Sequence, residues 1–308
     1  MITKDKSSYF PLSSNSYHFR GSWLQLIRPL TLTGTLTPIL VGTAFAAKSA
    51  PIRWDLFFAL LVAAMLIQAA TNMLNDYFDF QNGQDKEKWM QQTNMNSILS
   101  PTYEAIPYMA GFLLVIAISI GAWLAIESSL WLLPIGVISI FAGIKYSLGT
   151  HSFSAIGLGE CIAFIFLGIV VTVLGYVVQG HPLNSDIIML ALPFALLIAA
   201  MILTNNIRDI KKDVPFRKTI AISLGKKRSI RLLAIILAST YATMGILIIL
   251  EIVPVLGLFT LFALPFAFRL LYAFRKHAPN EEMQQVMKWA ALHHWVFGIL
   301  YAIVMWMT

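Results

Sequence analysis

Nine apolar runs of membrane length follow one another along this chain, and few folds accept such a pattern. A bilayer-spanning α-helix needs about 20 mostly apolar residues. Runs that meet this need lie at 30–47, 55–75, 106–126, 130–148, 155–178, 186–206, 230–250, 254–274 and 289–307. In lipid every backbone polar group must be bonded within its own segment, so the runs predict helices. Composition agrees: of 308 residues, 58% are hydrophobic and only 12% charged, with a mean hydropathy of +0.73. A soluble domain of this size has too little interior to hide that much apolar surface. The expected fold class is an all-α integral membrane protein of about nine transmembrane helices. Residues 1–22 are polar and lack the apolar core of a signal peptide. They are expected to form a polar N-terminal segment ahead of a single transmembrane domain at 23–308. The one cysteine, Cys161, excludes an intrachain disulfide and, within its apolar run, reads as packing.

The net charge of +7 does not point to nucleic acid, because in a membrane protein the placement of Lys and Arg says more than their sum. Only Lys48 and Arg53, of 22 basic residues, fall between odd- and even-numbered exits on one side; the other 20 (22 − 2) fall on the opposite side. The positive-inside rule then places the N-terminus and the even-numbered exits in the cytoplasm, the C-terminus outside, and the chain in the plasma membrane.

Two of those even-numbered exits carry acids. "NDYFDFQNGQD" (75–85) closes the second run and "TNNIRDIKKD" (204–213) closes the sixth. Asn72, Asp76 and Asp79 stand at i, i+4 and i+7; Asn205, Asp209 and Asp213 stand at i, i+4 and i+8. Such spacings share one helix face, so each exit presents one Asn and two carboxylates as a single oxygen-bearing stripe. Asp85, past Gly83, offers a further oxygen. Carboxylates this close at a membrane edge require a cation. Hard oxygen ligands favour Mg2+ or Ca2+ over softer metals, and Mg2+ takes one or two carboxylates, keeps waters and binds substrate phosphate. Two facing stripes suit a diphosphate held through Mg2+, with Arg208, Lys211, Lys212, Arg217 and Lys218 compensating the remaining charge. A diphosphate site opening into lipid suits a substrate with a charged head and a long apolar tail, such as a polyprenyl diphosphate. Tyr77 and Tyr146 are the aromatic candidates to stand near a developing allylic cation.

These motifs resemble the UbiA superfamily of intramembrane aromatic prenyltransferases, and within it the branch that prenylates 1,4-dihydroxy-2-naphthoate. "KYSLGTHSFSAIGLGECIAFIFLG" (145–168) is similar to that branch's Gly-Leu-Gly-Glu stretch, and "IRPLTLTGTLTPILVGTAFA" (27–46) to its first helix. The resemblance runs from about Trp23 through the seventh run. It implies helices around a central cavity and transfer of a polyprenyl chain to the aromatic acid, with release of diphosphate and CO2. It implies a Mg2+–diphosphate site of Asn72, Asp76, Asp79, Asn205, Asp209 and Asp213. It further implies diphosphate contacts from Arg208, Lys218 and Lys145, contact between Arg28 and the acidic acceptor, and a functional Glu160. Another acceptor, such as a 4-hydroxybenzoate-like acid, and a membrane transporter remain as alternatives. The chain departs from the pattern at "DVPFRKTIA" (213–221), which is one residue shorter, lacks a glycine and holds Pro215. That loop is expected to follow its own path.

Overall fold

The computed structural model describes residues 17–91, 100–149, 151–275 and 280–307. Most of the expected polar segment 1–22, with Lys4 and Lys6, lies outside the described residues, as does Lys276. A strand, β1 (Tyr17–Phe19), and a short helix, α1 (Trp23–Ile27), precede α2 (Pro29–Ala47) and α3 (Trp54–Gln81). Strand β2 (Trp89–Gln91) leads to α4 (Ala105–Glu127) and α5 (Leu132–Ser147). The next span is composite: α6 (Gly159–Ala163), a π-helical stretch (Phe164–Val170) and α7 (Val171–Val177). Then come α8 (Ser185–Asp213), α9 (Ile220–Leu224), α10 (Lys226–Ile249), a 3-10 stretch (Val255–Ala263) running into α11 (Leu264–Ala273), α12 (Asn280–Gln284) and α13 (Val286–Trp306).

Among the described residues seven helices are long and apolar enough to cross a membrane, and two shorter apolar helices, Gly34–Ala47 and Leu132–Ser147, fill the expected first and fourth runs. Helices α3 and α8 overrun their expected ends at 75 and 206. Nothing stops α3 before Gly83, whose φ of 83° suits glycine, and nothing stops α8 before Pro215. The Asn and Asp stripes of both motifs therefore ride on helix, with Asp85 in the turn beyond α3.

The spans wrap α8, the most deeply buried of them. Leu190, Phe194 and Leu197 of α8 pack with Phe297 and Tyr301 of α13 and Val41 of α2. Lipid gives helices no hydrophobic reason to associate, so close backbone approach matters. A Cβ at Gly168 would fall 2.2 Å from the Ala195 Cα, so only glycine admits this crossing of the π-helical stretch over α8. Phe112, Ile126, Val137, Phe141 and Phe262 point outward, a greasy rim that a bilayer satisfies. Cys161 is exposed rather than packed, because it lies on the outer face of α6.

Over the end of α3 the chain forms a strap. β1 pairs antiparallel with β2, setting Phe19 opposite Trp89, and the Phe19 N–H donates to Pro101 O at 2.8 Å. Phe80, Trp89 and Tyr103 pack beneath it, and the Tyr77 ring stacks on Tyr103 with centroids 4.4 Å apart. Tyr77 thus belongs to this aromatic cluster. One residue past Asp76, it is turned about 100° around the helix from that carboxylate.

Candidate active site

The site grows from the last turns of α3. Asp76 is only 2% exposed, and its Oδ1 accepts from Arg28 Nη2 and from Lys88 Nζ, each at 2.7 Å. Arg28 reaches it from the junction of α1 and α2, where its φ of 58° puts a non-glycine residue in the left-handed region. That conformation costs about 1 kcal/mol or more, offset by the charged bonds to Asp76 and a 3.1 Å bond to Asn75 Oδ1. Asn75 donates in turn to Ser147 Oγ at the end of α5. Asn72 donates through Nδ2 to Ile27 O (2.8 Å) and Thr31 Oγ1 (3.0 Å), which leaves Oδ1 as its available acceptor.

One turn on, Asp79 meets Arg217 at 2.7 Å, with both side chains largely buried. Arg217 comes from the far side of the site, in the shortened loop after α8, where its backbone N–H and that of Phe216 both bond to Asp213 O. Pro215 has no N–H to give, and this tight turn spares it the need for one. Arg217 also donates to Gln84 Oε1 at 2.7 Å. The loop's expected departure is therefore real, and its consequence is an arginine laid across the gap between the two motifs. Burial opposes the Arg217 charge, but Asp79 and Asp213 outweigh it and hold the guanidinium above its ordinary value.

Asp85, with φ 52°, closes the turn that Gly83 opens. It pairs with Lys88 at 2.6 Å and with Lys212 of α8, which also reaches Glu87 at 2.5 Å. Burial pushes the Asp85 carboxyl up, but Lys88 and Lys212 win and hold it down to about 2. A depressed value means a contribution to stability that is complete above the ordinary value of about 4 and is lost as pH falls through about 2. Asp85 is therefore ionised across the neutral range.

On α8, Arg208 grips Asp209 through two bonds of 2.6 and 2.8 Å and reaches Asn205 Oδ1 at 2.8 Å. Asp213 is 7% exposed and lies in the fields of Arg217, Asp209, Asp79 and Asp85. The Arg28 field reaches Arg208, and that of Asp85 does too. Both motifs thus sit at one end of the bundle, interlocked by Arg217 and Lys212.

Of the other expected residues, Glu160 at the start of α6 is buried, and its Oε1 accepts from Asn206 Nδ2 at 2.8 Å. Tyr146 of α5 stands within the fields of Arg217, Glu160, Asp79 and Arg28, at the inner side of the cluster. Lys145 and Lys218 are not drawn in. Lys145 is half-buried and pairs with no carboxylate among the described residues. Lys218 is exposed, and its backbone N–H bonds to Ala155 O at 2.8 Å, pinning the loop after α8 against the loop before α6. Gly157, with φ 85°, allows that contact: a Cβ there would fall 2.7 Å from Lys218 O. Arg28 holds Asp76 and Asn75 rather than standing apart for an acceptor. Lys88, Gln84, Asn75 and Asn206 were not singled out by sequence. The signal was faint: Lys88 counts only as topology until the Gly83 turn folds it back.

Among the described residues no three His, Cys, Asp or Glu side chains form a group that holds a metal ion unaided. The donor set nonetheless fits Mg2+, which takes one or two carboxylates and fills its remaining positions with water and phosphate. Asp76 and Asp85 already share one cation, the Lys88 ammonium.

Fold and site together define a multi-span membrane enzyme with two acidic helix ends interlocked by basic side chains. Residues 35–306 match the sequence profile of the UbiA prenyltransferase family, and the chain belongs to that family: it is a prenyltransferase. It is 34% identical over 218 residues to the 1,4-dihydroxy-2-naphthoate octaprenyltransferase of Bacillus subtilis (strain 168), covering 70% of each chain. It is 30% identical over 290 residues to the human UbiA prenyltransferase domain-containing protein 1, covering 92% of this chain and 84% of that one. Among solved structures, an apo UbiA homolog from Aeropyrum pernix K1 aligns with a TM-score of 0.68 at 14% identity, over 90% of this chain and 98% of that one. A UbiA homolog from Archaeoglobus fulgidus bound to DMAPP and Mg2+ aligns at 0.62 and 15% identity, over 92% of this chain and all (100%) of the other. At those identities the structural likeness speaks for the fold alone.

Proposed function

We propose that this enzyme transfers a polyprenyl chain from polyprenyl diphosphate to 1,4-dihydroxy-2-naphthoate, at the cytoplasmic face of the plasma membrane. The observation that carries the diphosphate reading is the salt bridge of Asp79 with Arg217, which brings the first acidic motif against the loop of the second. The acceptor follows the naphthoate enzymes that this chain resembles, such as the one from Bacillus subtilis. Asn72, Asp76, Asp79, Asp209 and Asp213 would hold Mg2+, and Asn205 would steady the second stripe. The chemistry Mg2+ supplies there is neutralisation of the departing diphosphate. With the carboxylates holding Mg2+, Arg208, Lys212 and Arg217 would be free to meet phosphate oxygens. The allylic C–O bond breaks as a ring carbon of the acceptor forms the new C–C bond. The acceptor's carboxylate then leaves as CO2 and returns its electron pair to the ring. The product is a prenylated naphthoquinol, the reduced form of demethylmenaquinone. The apolar spans beneath the site keep water from the cationic carbon.

The prenyl tail needs an apolar path. A membrane-facing crevice between α3, α4 and α5, lined by Leu60, Ala64, Ile67, Gly121, Gly136 and Ile140, begins about one turn from Thr71 and Asn72. A Cβ at Gly136 meets no atom within 4 Å, so a larger side chain fills the crevice without forcing the helices apart. Gly136→Leu is expected to cut turnover of a long polyprenyl diphosphate about tenfold while leaving geranyl diphosphate unaffected. Equal losses with both substrates would place the tail elsewhere.

The decisive assay is purified protein with a polyprenyl diphosphate and a panel of aromatic acids, with and without Mg2+. A lipid-soluble naphthoquinol should form only with dihydroxynaphthoate and the metal, and EDTA should stop it. Preference for a 4-hydroxybenzoate-like acid would overturn the acceptor.

A further inference from the structure

We infer that Glu160, held by Asn206, takes a ring hydroxyl of the aromatic acceptor; this rests on the aromatic-acceptor reading above. Asp76, Asp79, Asp85 and Asp209 each meet a Lys or Arg. Glu160 pairs with none among the described residues. Glu160 is 6% exposed, its Oε1 accepts from Asn206, and its Oε2 is buried without a hydrogen-bond partner among the described residues. Buried polar atoms in folded proteins are almost always bonded, and an ionisable group at membrane depth is costly without a use. A ligand that brings a donor explains the spare oxygen.

The surroundings say which ligand. A Cβ at Gly159 would lie 3.1 Å from the Tyr146 hydroxyl, so the glycine beside Glu160 leaves that phenol room. Tyr146 in turn lies in the fields of Glu160 and of Arg217, Asp79 and Arg28. Tyr146 thus feels both Glu160 and the charged cluster proposed to hold the diphosphate. The side-chain partner of Glu160, Asn206, is a neutral amide, which orients the carboxyl without quenching it. A carboxyl oxygen in that position suits a phenolic hydroxyl rather than a phosphate, which it would repel.

The chemistry favours the same assignment. When Glu160 shares the hydroxyl proton, electron density moves into the ring and to the carbon that bonds the prenyl group. The ring carbon's pair forms the C–C bond, diphosphate departs with the C–O pair, and loss of CO2 restores the aromatic ring. The proton then returns to the hydroxyl oxygen, so none is gained or lost. Asn206 is a positioning residue, since it acts through Glu160.

The test compares the hydroxylated acceptor with its O-methyl ether, in wild type and in Glu160→Ala and Glu160→Gln. Binding of prenyl diphosphate without acceptor is followed separately by tryptophan fluorescence. Wild type should prefer the free hydroxyl strongly, because a site built around a hydroxyl rejects analogues that lack one. Glu160→Ala should shrink that preference at least about tenfold, with prenyl diphosphate binding changed by less than about twofold. Glu160→Gln keeps the shape and should move the same ratio in the same direction, which covers an alanine variant that fails to fold. An unmoved ratio, or a parallel loss of prenyl diphosphate binding, overturns the inference alone. A wild type that prenylates no hydroxylated acid removes the acceptor reading and this inference with it.

Discussion

Alanine at Asp76 or at Asp209 is expected to cut prenyl transfer about a thousandfold, the scale seen when a group that stabilises departing negative charge is removed, and to leave the bundle folded. The fold survives because neither deletion strands a buried charge. Arg28 and Lys88 each keep about a third of their side-chain surface exposed, at 34%, so water takes over from Asp76. Lys88 also retains Asp85, and Arg28 retains Asn75. At the second motif Arg208 retains Asn205. Asp55 is the control. It sits at the other end of α3 and pairs with Arg53 in an exposed contact, which solvent and salt screen. Asp55→Ala should leave turnover and melting temperature close to wild type. Product formation and thermal unfolding of the purified variants decide the matter. Full turnover in Asp76→Ala would remove the first motif from the chemistry.

Much of this arrangement was legible because its periods are local. The apolar runs foretold the spans, and the spacing of Asn72, Asp76 and Asp79 foretold one face, since both depend only on residues a few positions apart. The partnership of the two motifs was legible for a different reason: the lopsided distribution of Lys and Arg places both exits on one side. What sequence hid was set by loops. Gly83 and Asp85 adopt positive φ and fold Lys88 back onto Asp76, a reversal that no period encodes. Asn206 next to Asn205 reads as one more polar residue, and only the crossing of α6 on α8 makes it the partner of Glu160. The stacking of Tyr77 on Tyr103 was hidden too, because it depends on how the strap folds over the end of α3. Sequence was equally silent on Lys145 and Lys218, since closeness to a motif does not direct a long side chain.

Arg217→Met should unfold the protein several degrees earlier and also stop catalysis, and the two losses are separable. Asp79 and Arg217 are 7% and 11% exposed in their side chains, so deleting the arginine leaves a carboxylate with little water to replace it. Breaking a buried pair from one side costs about 3–5 kcal/mol, far more than losing both charges together. Asp79→Asn alone should be milder, because Arg217 keeps Gln84 and the field of Asp213. The double variant Asp79→Asn with Arg217→Met should therefore recover most of the lost melting temperature. It should recover none of the turnover, since in the proposed site Asp79 would hold the metal and Arg217 would meet the diphosphate. Thermal unfolding together with prenyl transfer in the two single variants and the double variant reads both quantities. Additive stability losses would mean that the arginine and the aspartate act independently, and the two motifs would then lack the bond that joins them across the site.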